Sequence, residues 1–370
     1  MDLQIFSNIS KIIERDSKST TYKFALLRGV IDIIQENSPY IYFENGRTHF
    51  PTGLLIEKWM LYYYPILESP TIIPQINGEN IDLAFAPEFR KVIDGYRQTG
   101  GFSAFYNDLK NRGIPKNLAR QFYELAKKIR QTITRMPMRY IGRSISDEYY
   151  SIFHYECPLT RVRPSIDLQF LVDTFGTFSI PVDYYEAFKM LGSFINGQDA
   201  LLFKWAEFSV NASGKKLSVE KVINEVLRSP ITERDIQESK KIYASILRNE
   251  GKVRCVWTGN VITSYDVDHV VPFSVWKNND LWNLLPAKAS INNLKRDKIP
   301  SAKLIEDRKG EIVRYWDLVQ ETQGERFKKE IQVTLLGQNP FSSWKETAIP
   351  QLKRTCDYLI NERGYMEWIL

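Results

Sequence analysis

Residues 265–301, YDVDHVVPFSVWKNNDLWNLLPAKASINNLKRDKIPS, hold the densest chemistry in this 370-residue chain and decide how the rest is read. YDVDHVV is β-branched and stops at Pro272, which predicts a strand. Asn278, Asn279 and Asp280 mark a loop. PAKASINNLKR sets good helix formers behind a proline suited to a first turn, which predicts a helix starting at Pro286. Upstream, the alternation from Val253 to Trp257 predicts another strand, and Thr258-Gly259-Asn260 predicts a turn. The order over residues 252–301 is therefore strand, strand, helix.

His269 is one of only three histidines in the chain. It follows a carboxylate, Asp268, and precedes two asparagines, Asn283 and Asn292. An imidazole with an ordinary pKa of about 6.5 can be neutral at pH 7 and take a proton from water, if a partner on its other nitrogen fixes the tautomer. The Asp268 carboxylate and an asparagine carbonyl are hard oxygen donors that suit Mg²⁺ or Mn²⁺ better than zinc. Lys288, Lys295 and Arg296 lie three or four residues from Asn292 on the predicted helix, where cations would meet the charge that builds on a phosphodiester as it breaks. Adjacent strand residues point to opposite faces, so Asp268 and His269 share one site only if the strand ends or twists there.

Asp-His, then Pro272, the mid-loop Asn283, the helix Asn292 and the trailing Lys295 stand in an order that resembles the HNH (ββα-metal) endonuclease family. The pattern is especially similar to the HNH domain of RNA-guided CRISPR effector nucleases. The resemblance covers residues 252–301. It implies that His269 activates the attacking water and that Asp268 and Asn292 hold the metal. It also implies that Asn283 braces the loop and that Lys295 contacts phosphate. Asn292 stands where the family's final histidine often stands, with Asn293 as a competitor for the ligand role. Many family members staple this unit with two cysteine pairs around zinc, but only Cys255 lies near the expected place, so no structural zinc is expected. Packing by Val270, Trp282, Leu285, Ile291 and Leu294 would replace it, and a unit of this size buries too little surface to fold alone.

Working outward, the chain divides at the linker-like residues 211–216, NASGKK. Residues 1–210 read as a mainly helical substrate- or partner-binding region. Residues 217–370 read as the nuclease region, with a helical tail from 302 to 370 in which Trp316, Trp344 and Trp368 are core anchors. YKFALLRGVIDIIQ and EKWMLYYYPIL have helical periodicity, and Asn45-Gly46 signals a hairpin between them. TFGTFSIPVDYYEAFKMLGSFI and DALLFKWAEFSV read as two helices parted near Asn196-Gly197. The expected fold class is α+β: a mainly helical protein with a zinc-free ββα-metal module toward the C-terminal half.

The net charge of +6 is unevenly spread. The segment 110–143 carries ten basic side chains, including Arg120, Lys127, Lys128 and Arg130, against the single acid Glu124. That pattern suits either phosphate contacts or a solvated helix face. Three widely separated cysteines fit reduced thiols, and the N-terminal sequence has neither a secretory nor a transit pattern, so a cytoplasmic location is expected. No apolar run reaches the ~20 residues that span a bilayer. The sequence thus predicts an endonuclease acting on DNA in restriction or anti-phage defence, with one Mg²⁺ or Mn²⁺ and a protein partner such as an ATPase or a second copy. RNA as substrate and a non-cutting nucleic-acid-binding subunit stay open.

Overall fold

The computed structural model describes residues 5, 8, 9, 12, 18–78, 82–141, 152–156, 166–193, 195–223, 234–276, 278–337, 339–361 and 364–370. Arg143, the last residue of the basic segment 110–143, and Cys157, one of the three cysteines, lie outside them. The chain forms two compact units, residues 1–36 with 40–231 and residues 37–39 with 232–370. Among the described residues, no helix is long and apolar enough to cross a membrane.

The first unit is helical around one small sheet. Its helices are α1 (Tyr22–Gln35), α2 (Thr52–Glu68), α3 (Ala86–Tyr96), α4 (Gly101–Asn107), α5 (Ala119–Arg135), α6 (Pro137–Tyr140), α7 (Leu168–Thr174), α8 (Val182–Ser193), α9 (Ile195–Ala212) and α10 (Val219–Val222). Strands β1 (Tyr42–Glu44), β2 (Arg47–Pro51), β3 (His154–Glu156) and β4 (Thr177–Pro181) pair in the order β1-β2-β4-β3. The expected hairpin at Asn45-Gly46 is present, with both residues at positive φ, as a tight two-residue turn demands. β4 corrects the reading of residues 177–181 as part of a helix. Its partner β2 lies far away in sequence, with Phe50 opposite Phe178 and their rings stacked at 5.0 Å, so no local pattern announces it. The two expected helices are present as α8 and α9, and α9 already begins at Ile195, just before Asn196-Gly197.

Lys110 opens the basic segment and pairs with the buried Glu57. On α5, Arg120 is exposed, whereas Lys127, Lys128 and Arg130 are half-buried. Arg130 donates to the Tyr155 hydroxyl at 3.4 Å. His49 is buried and stacks on Tyr42, a structural place for it, while His154 is exposed on β3.

The second unit holds α11 (Gln237–Glu250), β5 (Val253–Arg254), β6 (Val261–Ile262), β7 (Asp266–His269), α12 (Phe273–Trp276), β8 (Leu284–Ala287), α13 (Ala289–Lys295), β9 (Ile299–Pro300), α14 (Ala302–Ile331), α15 (Trp344–Asn361) and β10 (Glu367–Trp368). Two expectations are corrected here. The predicted strand from Val253 to Trp257 shrinks to Val253–Arg254, whose partner is β6 rather than the Asp-His strand. Leu284–Ala287, whose Pro286 was read as the first turn of a helix, is instead the antiparallel partner of β7, and α13 starts only at Ala289. Pro286 can sit in β8 because the sheet has only two strands, so β8 has an edge that needs no donor. The tail is not wholly helical, since β10 pairs in parallel with β9.

One apolar core runs from Ile242 to Trp368 and takes in Val270, Trp282, Leu285, Trp316, Trp344 and Cys356. Ile291 packs partly against it, whereas Leu294, expected inside, is 62% exposed. α14 meets the short hairpin directly: the buried Trp316 Nε1–H donates to the Trp282 carbonyl at 2.8 Å. Trp316→Phe leaves that carbonyl without its donor and removes ring volume. The full chain is expected to lose about 2–3 kcal/mol, read as a lower urea midpoint with an unchanged slope.

Candidate active site

β7 and β8 pair with Asp268 opposite Leu285 and His269 opposite Leu284. His269 is the last residue of the strand, and the next amide, Val270 N–H, turns to the Asn283 carbonyl at 2.8 Å. Ending the strand there releases His269 from strict alternation. Asp268 and His269 consequently line the same cleft, about 740 Å³ in volume, with Asn292, Asn293, Arg296 and Asp297 from α13 and its exit. Arg234, Phe273 and Ser274 complete the walls.

The tautomer of His269 follows from its neighbours. Its Nε2 lies 3.3 Å from Asn279 Oδ1. The Asp235 backbone N–H, which can only donate, points at that same atom at 3.1 Å, which fixes it as the amide oxygen. Nε2 must therefore carry the proton, and Nδ1 is the basic nitrogen. Burial is the main reason that the imidazole pKa falls to about 4, with Arg234 and Lys295 lowering it further and the Asn279 bond opposing them. The ring is neutral at pH 7 and able to accept a proton.

Asp268 is only 3% exposed. Its Oδ2 accepts from Trp257 Nε1 at 2.6 Å, and its Oδ1 faces Lys295 Nζ at 3.2 Å. The same ammonium donates to the His269 carbonyl at 2.5 Å. Burial pushes the carboxyl up and the ammonium down, against their mutual attraction. Lys295 is fully buried, so the phosphate contact implied for it is corrected: its charge is spent inside the protein, on Asp268. Helix faces alone could not have told this, because a side chain next to Asn292 on α13 can turn either to the cleft or to β7.

Asn292 is half-buried, and its Nδ2 points to Asp266 Oδ2 at 3.4 Å, which turns its carbonyl oxygen away from that acid. Asn293 is exposed in the same cleft. Lys288 and Arg296 are exposed at the two ends of α13, and Arg296 alone of these two lines the cleft. Among the described residues, no three His, Cys, Asp or Glu side chains gather as a metal cage. The donors fit a hard divalent ion all the same. A carboxylate offers about four lone-pair positions, Trp257 and Lys295 use two, and Mg²⁺ commonly takes only one or two carboxylates and keeps its waters. Cys255 is buried, with its sulfur accepting the Lys288 N–H at 3.3 Å.

Asn283 is fully buried and clamps the two sides of the loop. Its Oδ1 accepts from Val271 N–H at 2.8 Å, and its Nδ2 donates to the Val271 carbonyl at 3.1 Å and the Asn278 carbonyl at 3.4 Å. The loop is then tied to α14. Glu330 Oε2 accepts the Leu281 N–H at 2.7 Å, its Oε1 holds Arg326 at 2.6 Å, and Arg326 reaches the Asn279 carbonyl at 3.5 Å. Sequence reasoning noted Asn279 only as a loop residue and missed Arg234, Asp266, Arg326 and Glu330. The Asn-Asn-Asp run was the one available signal.

Comparison with known families agrees with this geometry. The HNH endonuclease family model matches residues 255–301, which hold the β7–β8 hairpin, α13 and β9. An HNH endonuclease domain here indicates a nuclease that binds nucleic acid, and such nucleases generally use a divalent metal ion. The chain belongs to the family described as Domain of unknown function (DUF8808), whose model matches residues 2–226. No curated protein and no solved structure matches it.

Two predictions follow from the buried charges. Lys295→Met strands Asp268 without its counter-charge and is expected to cost about 3–5 kcal/mol in denaturant unfolding, whereas the exposed Lys288→Ala should stay within ~0.5 kcal/mol. A purely phosphate-contacting Lys295 would leave stability unchanged. Burial, reinforced by Asp280, raises the Glu330 carboxyl to about 8, above its unfolded value, although Arg326 and the Leu281 N–H oppose the shift. The folded protein thus holds that proton more tightly. This contribution is complete below the unfolded pKa of about 4.3 and is lost as pH rises toward 8. Melting temperatures should fall across that window, and Glu330→Gln should flatten the decline.

Proposed function

We propose that the second unit carries a ββα-metal HNH centre, formed by β7, β8 and α13, that hydrolyses phosphodiester bonds in DNA. The observation that carries this reading is the convergence of a neutral, tautomer-fixed His269 with Asp268 and Asn292 on one cleft. His269 Nδ1 takes the proton of the attacking water, while Asn279 holds the ring through Nε2. Asp268 and Asn292 would hold one Mg²⁺ or Mn²⁺, which would supply Lewis-acid stabilisation of the phosphate oxygens. Asn283 braces the loop that carries Asn279. Lys295 serves from within by fixing Asp268 and the His269 carbonyl, and Arg296 faces the substrate.

The first unit, with Arg120, Lys127, Lys128 and Arg130, selects or binds the substrate or a partner such as an ATPase. An HNH unit between a long helical region and a C-terminal helical segment is similar in arrangement to restriction and anti-phage defence nucleases. That similarity is of architecture, and function rests on the site.

Plasmid DNA and total RNA incubated with Mg²⁺, Mn²⁺ or EDTA test the reading. Metal-dependent cutting of the plasmid is expected, with loss of at least ~10³-fold in His269→Ala, since the base and the polarised water act in the same step. Cutting of RNA alone would make the enzyme a ribonuclease of the same fold, and binding without cutting would make it a nucleic-acid-binding subunit. Activity that survives His269→Ala would overturn the mechanism. Charge removal at Arg120, Lys127, Lys128 and Arg130 should weaken DNA binding while leaving cleavage at saturating DNA intact.

A further inference from the structure

Burial of Lys295 leaves the centre without the phosphate-directed cation that its sequence pattern implies. The cleft nevertheless has a second arginine besides Arg296. Arg234 lies outside the matched stretch 255–301, ahead of α11, and lines the same walls as Asp268, His269 and Asn292. It is exposed, and its Nη2 donates to the carbonyl of Val267, the strand residue before Asp268, at 3.3 Å. That is its one hydrogen bond among the described residues, and it makes no ion pair among them. A guanidinium has five N–H donors, so most of its fork is available to a ligand.

The backbone around Arg234 is held, not loose. The Asp235 N–H is bonded to Asn279 Oδ1, the same oxygen that fixes His269, and Asp235 Oδ1 accepts the Gln237 N–H at 3.0 Å at the start of α11. Of the acids near the cleft, Asp268 is engaged by Trp257 and Lys295 and Asp266 by Asn292, while the exposed Asp297 lines the same cleft and forms no ion pair with Arg234 among the described residues.

We propose that Arg234 binds the scissile phosphodiester in the cleft, supplying from outside the HNH stretch the phosphate contact that the buried Lys295 does not make. The planar fork suits two non-bridging phosphate oxygens, and its tether to β7 sets it at a fixed place relative to Asp268 and His269. This rests on the nuclease reading above for the word scissile, but the phosphate contact itself does not require turnover.

The test separates the two. Arg234→Ala and Arg234→Lys are made in the full-length His269→Ala background, and affinity for a fluorescein-labelled 30-base-pair DNA duplex is measured by anisotropy in EDTA over a salt series. An RNA duplex of the same sequence forms the second arm. Loss of one phosphate contact should weaken binding about tenfold and reduce the log–log salt slope by about 0.9. Arg234→Lys should keep the slope while recovering only part of the affinity. In the otherwise wild-type chain, Arg234→Ala should lower kcat about 10²-fold, with Lys309→Ala on α14 as the unaffected control. An unchanged salt slope in Arg234→Ala, with unchanged melting temperature, overturns the proposal, as does failure of the parent to bind either duplex. A reduced slope in a protein that cuts neither nucleic acid supports the contact and refutes the nuclease reading instead.

Discussion

The ammonium of Lys295 sits in the interior between the Asp268 carboxylate and the His269 carbonyl, and the geometry of the cleft depends on it. It joins the end of α13 to the end of β7, so that the helix bearing Asn292 is tied to the strand bearing Asp268 and His269. Burying two opposite charges costs several kcal/mol of desolvation for each ion, and the cost is offset only where every remaining valence is satisfied. Here the Trp257 indole supplies the further donor to Asp268, and the His269 carbonyl supplies a further acceptor for Lys295. The arrangement fixes the orientation of the carboxylate with a cation that does not face the cleft.

The imidazole is organised from the other side of the cleft. Asn279 sets its tautomer, the Asp235 amide sets the orientation of Asn279, and Arg326 with Glu330 ties the loop to α14. None of these is a ligand or a base. They turn a histidine on a strand into an imidazole of fixed proton position, and several come from outside the short stretch that the HNH pattern covers. A hairpin of four-residue strands has no core of its own, and the indole rings of Trp282, Trp316 and Trp344 make it part of a larger one. The same dependence explains why Arg234 can belong to the site although it precedes the matched residues by some twenty positions.

Much of the site was legible from residue type and order. Asp268, His269 and Asn292 were singled out because a carboxylate, an imidazole and an amide at those spacings suit a hard metal and a general base, and all three line one cleft. Asn283 was expected to brace the loop and does so with three hydrogen bonds. What was misread shares one cause: it depended on partners distant in the chain. Leu284–Ala287 has helix formers around it, but pairing with β7 makes it a strand. Thr177–Pro181 is a strand because residues 47–51 lie beside it. Leu294 and Lys295 exchanged their expected places, the leucine outside and the lysine inside, because a buried carboxylate demands a counter-charge more strongly than one leucine demands cover.

The sequence by itself determined the residue types of the candidate centre and their order, since those residues are adjacent or regularly spaced along the chain. It also determined the Asn-Gly hairpin and the long amphipathic helices, whose periodicity is local. Only the tertiary structure decided which cation faces the cleft, which nitrogen of His269 is basic and how the strand's end brings adjacent residues to one side. Burial, tautomer and desolvation are properties of what surrounds a group, and here the surroundings come from α11, α14 and the loop before β8, none of which the spacing of the motif encodes.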